Sequence, residues 1–368
     1  MSNIRQRRDS TPPSFAPEFR LLAACTLRPA SERLASWRDQ VAALVCQVTD
    51  WSALLALVRR HQVYGLVYQA LSDLPDGVSV PREIIDKLAA MARRSRLDGL
   101  FRLAETRKIA KLFQGSGIPA VQLKGAPLSQ RLYGDPLMRH SMDIDVLVPL
   151  AGLGDAVQLL DALGFATQER MPLMSGLRGQ MQRRAYHHCM LHNGANVHLE
   201  LHWRLGTFSE AESNRVLDDS LADATTGLRV LPQAFEMTYL IAHGTRHYWE
   251  RLKWLSDIKQ ALLTIPPALW GDFAQQALAG GVQHAVELTR CVLAWVFDTP
   301  GAELPRCTPQ DQDRHVRSAK YALHRIQGPL ERHHSVRSVL DRALYRLDCS
   351  TPYEKFSSAL RLVTAGNS

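Results

Sequence analysis

From residue 117 to residue 203 the apolar side chains of this sequence stop recurring at helical spacing and instead alternate or run in short blocks. A period near 3.6 marks one face of a helix and a period of 2 marks a half-buried strand, so the change dictates a sheet set between two helical stretches. Residues 118–123 form a short apolar run, residues 144–148 form a second between Asp143 and Pro149, and residues 197–203 alternate strictly. Residues 186–192 read as a further strand, and residues 153–163 as a helix stopped by Gly164. Upstream the helical period holds through Leu34, Trp37, Val41, Leu44 and Val45, then Leu54, Leu55 and Val58, then Ile84, Ile85, Leu88 and Met91. After residue 231 it returns over 234–242, 252–263, 268–278 and 285–296, with three more helices behind them. The expected fold class is α+β, a small mixed sheet flanked by N-terminal and C-terminal helical regions. In residue numbers the expectation is a disordered lead-in over 1–20, helices over 21–115, the α+β core over 116–231 and helices over 232–368.

The segment that carries chemistry is LKGAPLSQRLYGDPLMRHSMDIDVLVP, from Leu123 to Pro149. Asp143 and Asp145 stand at i and i+2 of a strand and share a face. Two carboxylates side by side oppose each other's ionisation unless a divalent cation lies between them, and Mg²⁺ prefers such oxygen ligands. An Asp-x-Asp pair alone also occurs at solvated strand ends, so its neighbours decide the reading. Upstream, Gly125 follows the first strand and precedes a short helix over 127–133. Backbone N–H groups at a helix N-terminus can cradle phosphate there, with no Cβ in the way. Downstream, alternation puts Val197, Leu199 and Leu201 on one face and His198, Glu200 and His202 on the other. A buried Glu between two histidines is costly unless paired or metal-bound. Glu200 is therefore the expected third acid, a metal ligand that also helps take the proton from an acceptor hydroxyl.

This order of strand, Gly turn, short helix, Asp-x-Asp strand and later acidic strand resembles the nucleotidyltransferase fold of the DNA polymerase β superfamily. More narrowly, LKGAPL, LYGDPLMRHSMDIDVLV, HLELHWRL and AHGTRHYWERLKWLSDI resemble a bacterial family of uncharacterised nucleotidyltransferases, over roughly residues 104–263. The resemblance implies Asp143, Asp145 and Glu200 as catalytic acids and metal ligands, and Gly125 at the nucleotide phosphates. Lys124 and Arg139 fall where they would neutralise triphosphate charge. The wider superfamily follows its Gly with Gly or Ser and this chain has Ala126, so Ser129 or Ser141 is expected to supply the missing hydroxyl. The implied cofactor is Mg²⁺, as two ions, with Mn²⁺ as a substitute, and the donor is a nucleoside triphosphate, ATP among the candidates. The implied reaction moves a nucleoside monophosphate to a hydroxyl on a small molecule, peptide or protein. Three alternatives stay open: an RNA-directed enzyme of toxin or tRNA-modifying type, transfer of the terminal phosphate, and a nucleotide-binding module without catalysis.

His243 and His247 stand at i, i+4 on one helix face but lack the Glu of H-E-x-x-H, so packing rather than zinc is expected of them. With His202, Arg251 and Lys253 they are candidate linings of a substrate cleft. Strand alternation sends His187 and His188 to opposite faces, which argues against a metal shared among His187, His188, His192, His198 and His202, and His202 is expected to orient Glu200. The net charge of +8 suits a polyanionic partner, yet the basic residues form no single block, so nucleic acid is admitted without being favoured. Six cysteines without a CxxC pair predict reduced thiols. No apolar run approaches the ~18 to 20 residues of a membrane span, and the expectation is a cytoplasmic protein.

Overall fold

The computed structural model describes residues 14–167, 176–297, 304, 312–328 and 336–365. Among these the chain forms sixteen α-helices and seven strands in a mixed α+β arrangement, as the change of apolar period predicted. The strands are β1 (Val121–Gln122), β2 (Asp143–Leu147), β3 (Ala166–Thr167), β4 (His188–His192), β5 (His198–His202), β6 (Leu221–Ala222) and β7 (Arg229–Val230). They form one sheet in the order β3-β4-β5-β2-β1-β7-β6. β2 runs parallel to β5 and β1 parallel to β7, and the other neighbours are antiparallel.

One face of this sheet is apolar. Ile144, Val146 and Val148 join Cys189, Leu191, Leu199 and Leu201 in a buried cluster. Ile109, Ala110 and Phe113 of helix Arg82–Gly115 and Leu153, Ala156 and Leu160 of helix Leu153–Ala162 complete it. Burying one such side chain contributes about 1.5–3 kcal/mol, and a one-residue slip of β2 or β5 would turn the whole row to water. The apolar row therefore pins the register, and the register pins Asp143, Asp145 and Glu200 to the opposite face.

The chain divides into two compact units that interleave in sequence: residues 1–93, 238–278 and 282–349 make one, and residues 94–237, 279–281 and 350–368 the other. The acid-bearing unit thus takes in, besides the expected core, the later part of helix Arg82–Gly115 and the last helix, Pro352–Ala365. Of the expected lead-in, residues 1–13 lie outside the described residues. From Pro17 the chain is helical, with Pro17 at the first helical position, Glu18 in the first turn, and Phe19, Leu21 and Leu22 buried.

In the helical unit Asp50 caps helix Trp51–His61 by accepting from the Ala53 N–H at 2.9 Å. Glu18 accepts from the N–H groups of Thr49 and Asp50, both at 3.0 Å, which ties the first helix to that cap. The segment after helix Gln233–Arg246 folds back through Tyr248 and Trp249, both with positive φ. The Trp249 ring fills the space above Gly244, where a Cβ would stand 2.5 Å from it. Among the described residues no helix is long and apolar enough to cross a membrane.

Candidate active site

The pairing of β2 with β5 decides which side chains meet. In that parallel register Asp143 lies opposite His198, Asp145 opposite Glu200 and Leu147 opposite His202. On the far side of β5 the antiparallel register sets His188 opposite His202 and Met190 opposite Glu200. Acids and imidazoles therefore collect on the face that the apolar cluster leaves. Asp145 is buried, with Lys124 Nζ 3.0 Å from its Oδ1. His202 Nε2 lies 3.3 Å from Glu200 Oε2 and 3.7 Å from Asp145 Oδ1.

Burial by itself would raise the Asp145 carboxyl, but the Lys124 ammonium and the His202 hydrogen bond overcome it and hold the group below the usual carboxylate range. Burial likewise works to raise Glu200, while the hydrogen bond from His202 and the charges of His202 and His188 bring it down to about 2. His202 shows the reciprocal effect: burial pushes its imidazole down, and its two carboxylate partners push it up further than burial pushes it down. Both carboxylates thus stay ionised without a metal. Asp145, Glu200 and His202 each offer a ligand atom within 4.8 Å of the others, so these residues fit a divalent cation. Asp143 stands one step along the strand and outside that closest group. Its charge still opposes ionisation of Glu200, and Ser141 Oγ donates to its carbonyl at 3.1 Å and sits 3.4 Å from its Oδ1.

Beside Asp143 lies a cleft open to solvent, whose lining includes Arg102, Gln122, Gly125, Arg139, Ser141 and Asp143. Gly125 has φ 81° and precedes helix Ala126–Tyr133, and a Cβ there would meet Gln122 Nε2 at 2.8 Å. The positive φ is what favours glycine at this turn, since the Gln122 amide is the movable end of a side chain. Gln122 Oε1 and Arg102 Nη2 are buried without a hydrogen-bond partner. Sequence reasoning missed Arg102, which comes from helix Arg82–Gly115 and lies among many basic residues of that helix.

Ser129 is a correction. It is fully buried, its Oγ donates to the Asp135 carbonyl at 2.6 Å and accepts from the Arg139 N–H at 2.9 Å, so it braces the loop ahead of β2 and has no hydroxyl left for a phosphate. Ser141 lines the cleft and keeps that candidacy. Arg139 is also in the lining, whereas the Lys124 charge is engaged with Asp145.

Of the other cleft candidates, only His202 belongs to the acid-bearing unit. In the helical unit His243 and His247 stack at 4.6 Å between ring centroids, and both pack on Trp254. Arg251 donates to the Arg60 carbonyl, and Lys253 Nζ to Gln62 Oε1 at 2.6 Å. Among the described residues His243 and His247 join no group of three metal-ligating side chains, but His187, His188 and His202 do, with ligand atoms within 4.8 Å of one another. That corrects the expectation that alternation keeps the first two apart: His187 precedes β4 and escapes its period. Cys25, Cys46, Cys189, Cys291 and Cys349 form no disulfide with one another, and Cys307 lies outside the described residues.

The Asp-x-Asp strand is thus registered against an acidic strand, and a Gly-initiated helix opens on the cleft beside Asp143. Residues 47–298 match the family model described as "Uncharacterised nucleotidyltransferase", and the chain belongs to that family. No curated protein matches the chain.

Proposed function

We propose that this protein moves a nucleoside monophosphate from a nucleoside triphosphate to a hydroxyl acceptor, in a Mg²⁺-dependent reaction that releases pyrophosphate. The observation that carries the reading is the pairing of Asp145 with Glu200 on adjacent parallel strands, with Asp143 one step away and lining the Gly125 cleft. Asp145, Glu200 and Asp143 are the proposed metal ligands. When bound there, the metal supplies charge neutralisation at the phosphoryl oxygens and lowers the pKa of the attacking hydroxyl.

The chain's own groups do the rest by positioning and fixed charge. The N–H groups at the start of helix Ala126–Tyr133 receive phosphate oxygens, and Gly125 lets them approach. Arg102, whose Nη2 has no protein partner, and Arg139 face the same cleft and balance the charge of the leaving pyrophosphate. Ser141 offers its hydroxyl beside Asp143. Glu200, ionised far below neutrality, accepts the hydrogen bond of the acceptor hydroxyl and orients it. His202 keeps Glu200 charged and in place.

Product analysis tests the reading without knowledge of the acceptor. With Mg²⁺ and each triphosphate in turn, and water or simple alcohols as acceptor, the expected products are nucleoside monophosphate species and pyrophosphate. Glu200→Gln should slow their formation at least ~100-fold. Nucleoside diphosphate and inorganic phosphate as products would replace nucleotidyl transfer by terminal-phosphate transfer.

A further inference from the structure

We propose that His187, His188 and His202 form a transition-metal site of the Zn²⁺ class, distinct in ligand chemistry from the carboxylate group beside it. Their ligand atoms lie within 4.8 Å of one another, and the ring centroids are 4.4 Å apart for His187 and His188, 5.0 Å for His188 and His202, and 5.9 Å for His187 and His202. The backbone enforces this meeting. His188 and His202 are direct partners in the antiparallel register of β4 and β5, and the Trp203 N–H donates to the His187 carbonyl at 3.1 Å, which holds His187 at the end of the same pair.

A second observation points to a ligand. His202 is 3% exposed, and both its ring nitrogens are buried with no hydrogen bond of good geometry. Its Nε2 is turned to Glu200 Oε2 at 3.3 Å. An imidazole that gives one nitrogen to a carboxylate and keeps the other for a metal is the usual arrangement of a metal-bound histidine, so Nδ1 is the nitrogen assigned to the ion. Three imidazoles with a fourth position open to water suit Zn²⁺, whereas Mg²⁺ takes oxygen donors. The site shares His202 with the carboxylate group but uses neither Asp143 nor Gly125, so substitutions at His187 and His188 and at Asp143 separate the two readings.

Co²⁺ titration of the chelator-treated 368-residue chain tests the site, because tetrahedral Co²⁺ reports its ligands through visible absorption. With millimolar Mg²⁺ present to fill the carboxylate group, one Co²⁺ per chain is expected, displaced by Zn²⁺. His187→Ala and His188→Ala should each weaken binding at least about tenfold. Both residues are half-buried, and far-ultraviolet circular dichroism verifies that the variants fold. Asp143→Asn should leave the Co²⁺ spectrum and affinity unchanged. Absence of a Co²⁺ spectrum in the wild type, or equal affinity in wild type and folded His188→Ala, would overturn the proposal.

Discussion

Lys124 and Asp145 are both buried with their charges 3.0 Å apart, and each makes the other's ionised state tolerable. Such a pair adds little over an apolar one, but removing a single partner strands a charge in a low-dielectric site. Lys124→Met should therefore cost about 3 kcal/mol in urea unfolding at neutral pH. The sign with pH follows from Asp145, whose folded pKa lies below the free value even though burial works against it. Its contribution is complete above the unfolded value near ~4 and disappears as pH falls through the folded value. The gap between wild type and variant should accordingly narrow in acid. Equal stabilities at neutral pH would contradict the pairing. The same pair shows how a sequence motif can mislead at this scale. Lys124 stands beside Gly125 of the motif and reads as a triphosphate ligand, yet its ammonium is turned to the strand acid.

At the scale of elements, helix Trp51–His61 ends in a histidine that serves the next unit of structure: His61 Nδ1 accepts from the N–H of Leu252 at 3.0 Å, where helix Leu252–Thr264 begins. Burial, with the charges of Arg60 and Arg251, lowers the His61 pKa to about 3, and only the neutral ring can accept this bond. Unfolded, a histidine titrates near ~6.5, so between there and about 3 the unfolded chain takes up the proton first and stability declines, by about 5 kcal/mol over the whole interval. His61→Gln keeps an acceptor and removes the titration. Its melting temperature should fall less than that of the wild type between pH 7 and pH ~5, and parallel curves would count against the assignment. What the sequence revealed of the elements depends on their length. β2 and β5, five residues each, display their alternation, and so the acids Asp143, Asp145 and Glu200 could be placed on one face in advance. β3, β6 and β7 have two residues each, too few to show a period, and only their partners make them strands. Arg102 was hidden for a related reason: helical spacing tells which face is apolar but not which of several arginines meets a cleft.

At the scale of the whole molecule, the unit that carries the acids recruits residues from the end of the chain. Thr207 Oγ1 donates to Glu354 Oε1 at 2.9 Å, Ser357 Oγ to the Arg184 carbonyl at 3.1 Å, and the Arg204 guanidinium stands 4.5 Å from the Tyr353 ring centre. The three last helices look alike in sequence, since an amphipathic pattern does not say what the apolar face covers. Because the helix Pro352–Ala365 closes this unit, all 368 residues belong in the decisive measurement. Anything that binds the folded state alone raises stability by mass action, about 2.7 kcal/mol at a hundredfold excess over Kd. Calorimetric melting of the full chain with each nucleoside triphosphate, with and without Mg²⁺, is therefore the most direct test of a metal-dependent nucleotide site. A rise of several degrees, about 5 °C, is expected for at least one triphosphate. That rise should need Mg²⁺ and be lost in Asp143→Asn/Glu200→Gln. No rise with any triphosphate, or the same rise in the double variant, would contradict it.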